Sequence, residues 1–315
     1  MKINVEKCAG ILEKQDNILI LCHAHPDGDT LGSGFALLRA LQKLGKHVKL
    51  ACSDEIPEKY KYLYDDILIQ DFEEDFILAV DVATENLLGN LEEKYKGRVD
   101  LCIDHHGTNT NYAKKLLLNA DAASACEVVL KIIKALGVDI DKKMADCLYT
   151  GITTDTGCFR YSNVTSNTYR CAAELIDKGA DNGYINRLMF ETKTKKFAAL
   201  ERLATRSMQF FENERICIIT ITTDMYKKTG TSEVDTEPLP SLTRQIEGVE
   251  IGLTIREKED RTCKCSIRTY ESVDASKLAG AFGGGGHKQA AACRFGCDVE
   301  TAKKLLIDKC KELLK

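Results

Sequence analysis

Two different spacings of apolar residues divide the chain into an earlier and a later part. In the first half, short apolar runs that read as buried strands alternate with segments of helical periodicity. Strands are predicted at 18–22, 48–51, 77–80 and 100–103, and helices at 31–44 and 142–152. This alternation is typical of an α/β domain with a doubly wound parallel sheet.

The spacing changes in the second half. Residues 185–214 are charged, contain neither glycine nor proline, and predict a connecting helix. After them, alternating apolar runs predict strands at 216–222, 249–256 and 262–270, and the last two of these strands are predicted to form a hairpin. A final helix is predicted to begin after the N-cap Asp298, with Leu305 and Leu306 among its apolar positions. The sequence therefore predicts a sheet domain over 1–184, a helical linker over 185–214 and a smaller α+β domain over 215–315, with a cleft between the two domains.

Composition limits the class of protein. A chain of 315 residues with 44% hydrophobic residues can build two cores, and its net charge of −4 gives no general attraction for long duplex DNA. No apolar run approaches the ~18 residues of a membrane span, and the start lacks a signal-peptide pattern, so we expect a cytoplasmic protein without a membrane partner. The 14 cysteines are scattered, and most of them are expected to be reduced and buried; for Cys263 and Cys265, a strand face is favoured over a thiolate metal site.

Five of the six histidines lie in three short segments that are rich in aspartate or glycine. His23 and His25 follow the first predicted strand together with Asp27 and Asp29. Asp81 follows another strand, and the run 104–106 follows a third. Because the carboxyl ends of parallel strands meet at one edge of a sheet, we expect these three segments to converge.

Imidazole and carboxylate groups together suit divalent cations, and the absence of cysteine from these segments argues against a structural zinc site. Manganese is favoured, with magnesium and iron as alternatives. Two such ions about 4 Å apart repel by roughly 17 kcal/mol at an effective dielectric constant of 20, so a paired site needs several carboxylates and preferably a shared one. A hydroxide held between two ions is the nucleophile expected for attack on phosphorus.

Each segment also has a purely structural interpretation. Asp27 and Asp29 could form a polar turn that caps the next helix, and Asp81 could cap a strand end. The run Asp104-His105-His106 is harder to explain in this way, because adjacent ionisable groups after a buried strand are costly unless they are paired or bind a metal. The three segments together favour a metal centre.

Four consecutive glycines precede His287 near the end of the chain. Such a run exposes backbone N–H groups and lets a phosphate or a base approach closely. A P-loop is excluded because Lys288 follows histidine and precedes glutamine, whereas a flexible structural turn stays open as an alternative.

These motifs resemble a known family. HAHPDGD, the aspartate of ILAVDVAT, IDHHGTN and GITTDTGCFRYSN resemble, in this order, the four motifs of the DHH phosphoesterases. The segment KCSIRTYESVDASKLAGAFGGGGHKQAAACRF resembles the DHH-associated C-terminal domain, so the resemblance covers nearly the whole chain. One departure is the pair Ala292-Cys293, where the family usually has glycine.

The resemblance implies a role for each site residue. One ion would be bound by His23, Asp27 and Asp81, and the second by Asp29, His105 and Asp155, with Asp81 bridging. His106 would contact the scissile phosphate. Asp104 would orient a ligand from behind, and His25 would also support a ligand. The catalytic set would consist of Asp81, Asp104 and His106. The far phosphate or the base would be bound by Arg268, Gly284, Gly285, Gly286 and His287.

Within the family, a two-domain chain without further modules is similar to oligoribonucleases that also dephosphorylate 3′-phosphoadenosine 5′-phosphate. The expected substrates are short RNA oligonucleotides, this bisphosphate, and linear or cyclic dinucleotides. An inorganic pyrophosphatase with the same metal motifs and a nucleotide sensor without turnover are the alternatives. A homodimer is left open.

Overall fold

The four apolar runs of the first half all become strands of one parallel sheet. The computed structural model describes residues 1–236, 238–270 and 272–314, without the side chain of His287, and it adds a fifth strand to those predicted. The strands are β1 (Ile18–Leu21), β2 (Val48–Ala51), β3 (Phe76–Val80), β4 (Leu101–Asp104) and β5 (Lys115–Leu118). Their order is β2-β1-β3-β4-β5 with parallel neighbours throughout, which confirms the predicted parallel sheet.

Both faces of this sheet are covered. Alternate residues of β1 point to opposite sides, so that Ile18 and Ile20 join one core while Leu19 and Leu21 join another. The helices are α1 (Val5–Leu12), α2 (Gly28–Lys43), α3 (Glu92–Tyr95), α4 (Ala125–Ala135), α5 (Lys142–Asp155), α6 (Ser166–Asp177) and α7 (Asn182–Asn186). Short 3₁₀ segments occupy Glu58–Leu63 and Glu85–Leu91. In the described part of the chain, no helix has both the length and the apolar character that crossing a membrane requires.

Glycines let α2 and α5 approach each other closely. A Cβ atom at Gly32 would overlap the backbone carbonyl oxygen of Cys147, and one at Gly151 would lie 2.6 Å from the carboxylate of Asp29. The close packing places Asp29, in the first turn of α2, beside α5, which ends at Asp155.

The prediction of a connecting helix over 185–214 is wrong. The helix α7 passes into a π-helical turn at Arg187–Glu191 and ends there, and Thr194 then caps a new helix, α8 (Lys195–Arg206), by accepting the N–H of Phe197 at 3.0 Å. A short strand, β6 (Gln209–Phe211), follows. The chain divides into the compact units Met1–Thr192 and Lys193–Lys315, while the predicted domain boundaries stay predictions.

The second unit contains a mixed sheet, as the predicted α+β class implies. Its strands are β6, β7 (Ile216–Ile221), β8 (Ile251–Glu257), β9 (Cys263–Thr269), β10 (Gly285–His287) and β11 (Ala290–Phe295), in the order β10-β11-β9-β8-β7-β6. Among the described strands of this second sheet, only β7 and β8 pair in parallel, and the predicted hairpin of β8 and β9 is confirmed. The helices are α8, α9 (Thr223–Thr229), α10 (Pro240–Arg244), α11 (Ala275–Gly280) and α12 (Val299–Leu313).

One face of this sheet packs on α11 and α12. Cys263 and Cys265 belong to that core, which supports the interpretation of both as strand-face residues. Asp298 caps α12 as expected by accepting the N–H of Thr301. Of the two leucines named in the sequence, Leu306 is buried in the core, whereas Leu305 is 45% exposed. All fourteen cysteines have free thiols, as predicted.

We expect Gly32→Ala to destabilise the protein by about 1–3 kcal/mol, the usual range for overpacking, because the added methyl group meets backbone of α5 that cannot move aside alone. Urea denaturation measures the change. Gly10→Ala is the matched control, because nothing lies within 4 Å of its Cβ position in α1 and alanine gains up to about 1 kcal/mol there from helix propensity. Equal effects of the two substitutions would contradict the close packing of α2 on α5.

Candidate metal centre

The polar segments singled out in the sequence follow three adjacent strands. The segment 23–29 follows β1, Asp81 follows β3, and Asp104 ends β4. In the order β2-β1-β3-β4-β5, the connection after β1 runs to β2 on one side and the connection after β3 runs to β4 on the other. The boundary between β1 and β3 is therefore the topological switch point at which α/β sheets bind ligands.

A first group consists of His23, Asp27 and Asp81. The Nε2 atom of His23 lies 3.6 Å from Oδ1 of Asp27 and 3.7 Å from Oδ2 of Asp81. Asp27 also caps α2 by accepting the N–H groups of Asp29 and Thr30, so it fulfils the structural role considered for it and belongs to this group as well.

A second group consists of Asp29, His105 and Asp155. The Nε2 atom of His105 lies 3.7 Å from Oδ2 of Asp29 and 3.4 Å from Oδ2 of Asp155. Asp29 is fully buried and accepts the N–H groups of Ala125 and Cys126 at the N-terminus of α4, where the helix dipole favours a negative charge.

Asp81 lies between the two groups. Its Oδ2 atom faces His23, whereas its Oδ1 atom is 3.5 Å from Nε2 of His105. The residue has a φ of +58°, a left-handed conformation that costs energy in a residue other than glycine, and its N–H donates to the carbonyl of Ile103. This conformation directs one carboxylate toward both groups.

Hydrogen bonding leaves two buried atoms at the centre without a partner. The Nδ1 atoms of His23 and His105 face the carbonyl oxygens of Ala24 and Ala122, so in the neutral form of each ring the proton is on Nδ1 and the lone pair is on Nε2. Nε2 of His105 and Oδ1 of Asp81 are buried without any hydrogen-bond partner, which is costly in the absence of a ligand.

The separations between these atoms fit a shared ion. Metal–ligand bonds of about 2.0–2.6 Å place two adjacent ligands of one ion roughly 3–3.7 Å apart. The distances of 3.4–3.7 Å in both groups match this range and are too long for good hydrogen bonds. The six side chains therefore fit two divalent cations with oxygen and nitrogen ligands.

Crowding of the carboxylates shifts their proton affinity. Burial and the charge of Asp81 raise the pKa of Asp29 to about 7, and burial and the charge of Asp29 raise the pKa of Asp155 to about 8. Burial alone would lower the pKa of each histidine, but contacts with the carboxylates outweigh it and raise the pKa of His23 to about 11 and that of His105 to about 10. Cations bound in place of these protons would relieve the same repulsion.

His106 has a different environment from His105. Its Nδ1 atom is 2.9 Å from Oδ1 of Asp104, and its ring is 41% exposed. Asp104 is fully buried; burial alone would raise its pKa, but the hydrogen bonds from His106 and Asn109 outweigh it and lower the pKa. Asn109, which donates to Asp104 at 2.6 Å, was missed in the sequence, although it is the last residue of the IDHHGTN motif.

His25 lies apart from both groups of metal-binding candidates. Its side chain is 94% exposed, and Asp54 accepts its backbone N–H at 2.7 Å and lies 2.8 Å from its Nδ1 atom. Asp54 follows β2 and had no signal of its own in the sequence. The supporting role of His25 stays a prediction.

The remaining predicted residues lie in the second unit. Arg268 is on β9 and donates to the carbonyl of Ile267. Cβ atoms at Gly284 and Gly286 would collide with β11, so packing alone explains glycine at these two positions, whereas nothing lies within 4 Å of a Cβ at Gly285. The side chain of His287 lies outside the described part of the structure.

Comparison with known proteins gives consistent results along the whole chain. The family model "DHH family, N-terminal domain" matches residues 17–152, and the "DHHA1 domain" model matches residues 214–315. The bifunctional oligoribonuclease and PAP phosphatase NrnA of Thermus thermophilus is 30% identical over 94% of this chain and 90% of its own length. The protein of the same name from Bacillus subtilis is 25% identical over 94% of this chain and 96% of its own.

A solved structure is similar over both units. The crystal structure of an exopolyphosphatase-related protein from Bacteroides fragilis superimposes with a TM-score of 0.90 and 25% sequence identity. It covers 99% of this chain, and this chain covers 97% of it.

We expect manganese to raise the melting temperature of the metal-free protein by about 5–10 °C at pH 8, the shift that a ligand at 100 times its Kd gives a domain of this size. The shift should be smaller at pH 5.5, because Asp29 and Asp155, with pKa values of about 7 and 8, are then protonated and the ion must displace those protons. Differential scanning fluorimetry measures both. Asp81→Asn should lose most of the shift in melting temperature, and the control Asp71→Asn, at an exposed position, should keep it. Equal shifts at the two pH values would contradict the proposed ligand sets.

We expect Asp104→Asn to lower the pKa of His106, because the Asp104 carboxylate is the main cause that raises it. Titration of the ring C–H signals by NMR in the metal-free protein measures the change. Asp16→Asn, which removes a carboxylate 3.2 Å from His47, is the matched control and should leave the His106 titration unchanged. An unchanged His106 pKa in Asp104→Asn would show that the pair does not act as described.

Proposed function

Because the chain belongs to the DHH family and is thus a metal-dependent phosphoesterase, we propose that it hydrolyses phosphate esters of short nucleotides at the β1–β3–β4 edge of its first unit. The expected substrates are RNA oligonucleotides of a few residues, 3′-phosphoadenosine 5′-phosphate, and linear or cyclic dinucleotides. The names of the Thermus thermophilus and Bacillus subtilis relatives support this class of substrate.

One observation carries the proposal: the two groups of imidazoles and carboxylates share Asp81, with one oxygen directed to each. A shared carboxylate is what two neighbouring dications require, since it offsets part of their mutual repulsion. In the proposal, His23, Asp27 and Asp81 hold one ion, and Asp29, His105, Asp155 and Asp81 hold the other. Two divalent cations at these positions would activate water and draw negative charge from the phosphoryl oxygens.

The protein's own groups then orient the substrate. Asp104 holds the Nδ1 proton of His106, so Nε2 of this partly exposed ring is left to donate to a phosphoryl oxygen. Because the carboxylate of Asp104 raises the pKa of His106, the ring carries its second proton over a wider pH range and so favours contact with an anion. Arg268 and the backbone N–H groups around Gly285 are proposed to bind a more distant phosphate or base.

The donor set favours manganese, with magnesium and iron as alternatives, because two imidazoles and four carboxylates without thiolates suit harder cations. A cytosolic location and the absence of long duplex DNA as a substrate stay predictions.

A substrate panel tests the proposal. Phosphate and mononucleotide release with manganese would be measured from 3′-phosphoadenosine 5′-phosphate, RNA of two to five nucleotides, linear and cyclic di-adenylate, and pyrophosphate. Release from nucleotides supports the proposal. Release from pyrophosphate alone would favour the pyrophosphatase alternative, and nucleotide binding without any release would favour the sensor.

We expect Asp81→Ala to lower turnover of the best substrate by at least roughly 100-fold, since even residues that only support metal ligands are worth 10- to 100-fold. The control Asp71→Asn, at an exposed position, should keep full activity. Circular dichroism confirms that both variants are folded. Near-normal activity of a folded Asp81→Ala variant would refute the shared-ligand arrangement.

A further inference from the structure

Three basic residues form a row across the sheet of the second unit. Lys264 on β9 lies opposite Arg256 on β8 and opposite Arg294 on β11. Directly opposed residues share one face of a sheet, and their chain neighbours Ile255, Cys265 and Phe295 belong to the core on the other face. The basic row, Arg256, Lys264 and Arg294, therefore lies on the face away from α11 and α12.

The row becomes more exposed from one end to the other. Arg256 is 6% exposed, the side chain of Lys264 is 34% exposed, and Arg294 is exposed. The exposure increases in this direction because α8 covers only one end of this face. There Ile219 and Ile221 of β7 form a core with α8, whereas β9 and β11 carry polar and small residues. Two of the three cations are thus accessible to a ligand.

Protein carboxylates balance only part of this charge. Arg256 donates to Thr236 and Ser266, and its Nε atom is buried without a partner. In the described ranges, no carboxylate lies within ion-pair distance of Arg256 or Arg294. Lys264 has Glu233 at 3.8 Å, but it shares this carboxylate with Lys258 at 3.7 Å.

This arrangement is unfavourable without an anion. Like charges directly opposite each other destabilise a sheet, and a buried guanidinium without a counter-charge carries a desolvation cost. Burial and the charge of Arg256 lower the pKa of Lys264, with Arg294 acting in the same direction. A bound phosphate would offset all three effects.

The same face connects the row to Arg268. Ser266 and Arg268 follow Lys264 on β9 at alternate positions, and Ala292 and Ala290 lie opposite them on β11. Ser266 itself is buried, but the small, partly exposed alanines keep the β11 side of the face between Lys264 and Arg268 free of bulky side chains. Four residues of strand separate the two cations by about 13 Å.

We propose that the basic row binds a phosphate of a single-stranded oligonucleotide, several nucleotides away from the phosphate bound at Arg268. The inference rests on the proposed function, since it takes Arg268 as a substrate contact. A distance of 13 Å corresponds to about four stacked nucleotides at 3.4 Å each, or fewer if the strand is extended. A nucleoside bisphosphate or a dinucleotide is too short to occupy both places, so the row favours RNA of about three to five nucleotides over these smaller substrates.

The test compares Lys264→Gln/Arg294→Gln with a control that removes the same charge from the other side of the sheet. The control is Lys304→Gln/Lys309→Gln on α12, which packs on the opposite face. Isothermal titration calorimetry without metal would measure binding of a five-nucleotide and a two-nucleotide RNA at several salt concentrations. Thermal unfolding confirms that both variants are folded.

We expect the first variant to bind the five-nucleotide RNA roughly tenfold more weakly, with the slope of log K against log salt reduced by about 0.7 for each lost phosphate contact. Its affinity for the two-nucleotide RNA and both affinities of the control should stay unchanged. Equal losses for the two RNAs, no loss for either, or the same loss in the control would overturn the proposal.

Hydrolysis by the wild-type protein separates this inference from the proposed function. If the wild type hydrolyses none of the nucleotides in the panel but shows the length-dependent binding difference, the proposed function fails and the basic row stands. If it hydrolyses them and the binding difference is absent, the row fails alone.

Discussion

Mutual repulsion among buried carboxylates is the constraint that shapes the first unit. Asp29 and Asp81 are almost fully buried, and both lie within 4 Å of the same nitrogen of His105, as does Asp155. Negative charges at such separations repel by several kcal/mol even at an effective dielectric constant of 20. The N–H groups at the start of α4 and the two imidazoles offset part of this repulsion. The remainder is what divalent cations would offset.

Several locally unfavourable features serve this one arrangement. Asp81 adopts a left-handed conformation, and the glycines at 32 and 151 give up helix propensity so that α2 and α5 can lie close together. Each feature costs stability where it occurs and is needed to bring side chains from separate elements to one point. Such conflicts between local preference and global structure are expected at functional sites rather than in the core.

The parts of the structure that could be predicted from the sequence are those set by local pattern. Buried parallel strands are continuous apolar runs, so β1 to β4 were recognisable, and the residues that follow them were recognisable as a converging site. The position of Asp155 depends on the packing of α5 against α2, which no local pattern encodes, so the pattern supported it weakly and the family resemblance was the main reason to include it. The helix over 185–214 was wrong because Thr194 caps a new helix within a segment of high helix propensity. Asp54 acts through a contact with a different loop and Asn109 through a contact with the strand end just before it, and periodicity reveals neither.

The formal net charge of −4 conceals local charges of opposite sign in the two units. The first unit concentrates carboxylates that need cations, whereas the basic row of the second unit needs an anion. The negative net charge argues against attraction of long nucleic acid over the whole protein surface, but it does not describe a local row of three basic residues. Such a row can contact few phosphates, and the number of phosphate contacts determines both the affinity for a polynucleotide and its salt dependence. Both charges are therefore consistent with the proposed short nucleotide substrate: the basic row can bind only a few phosphates, and the negative net charge does not attract a long polynucleotide.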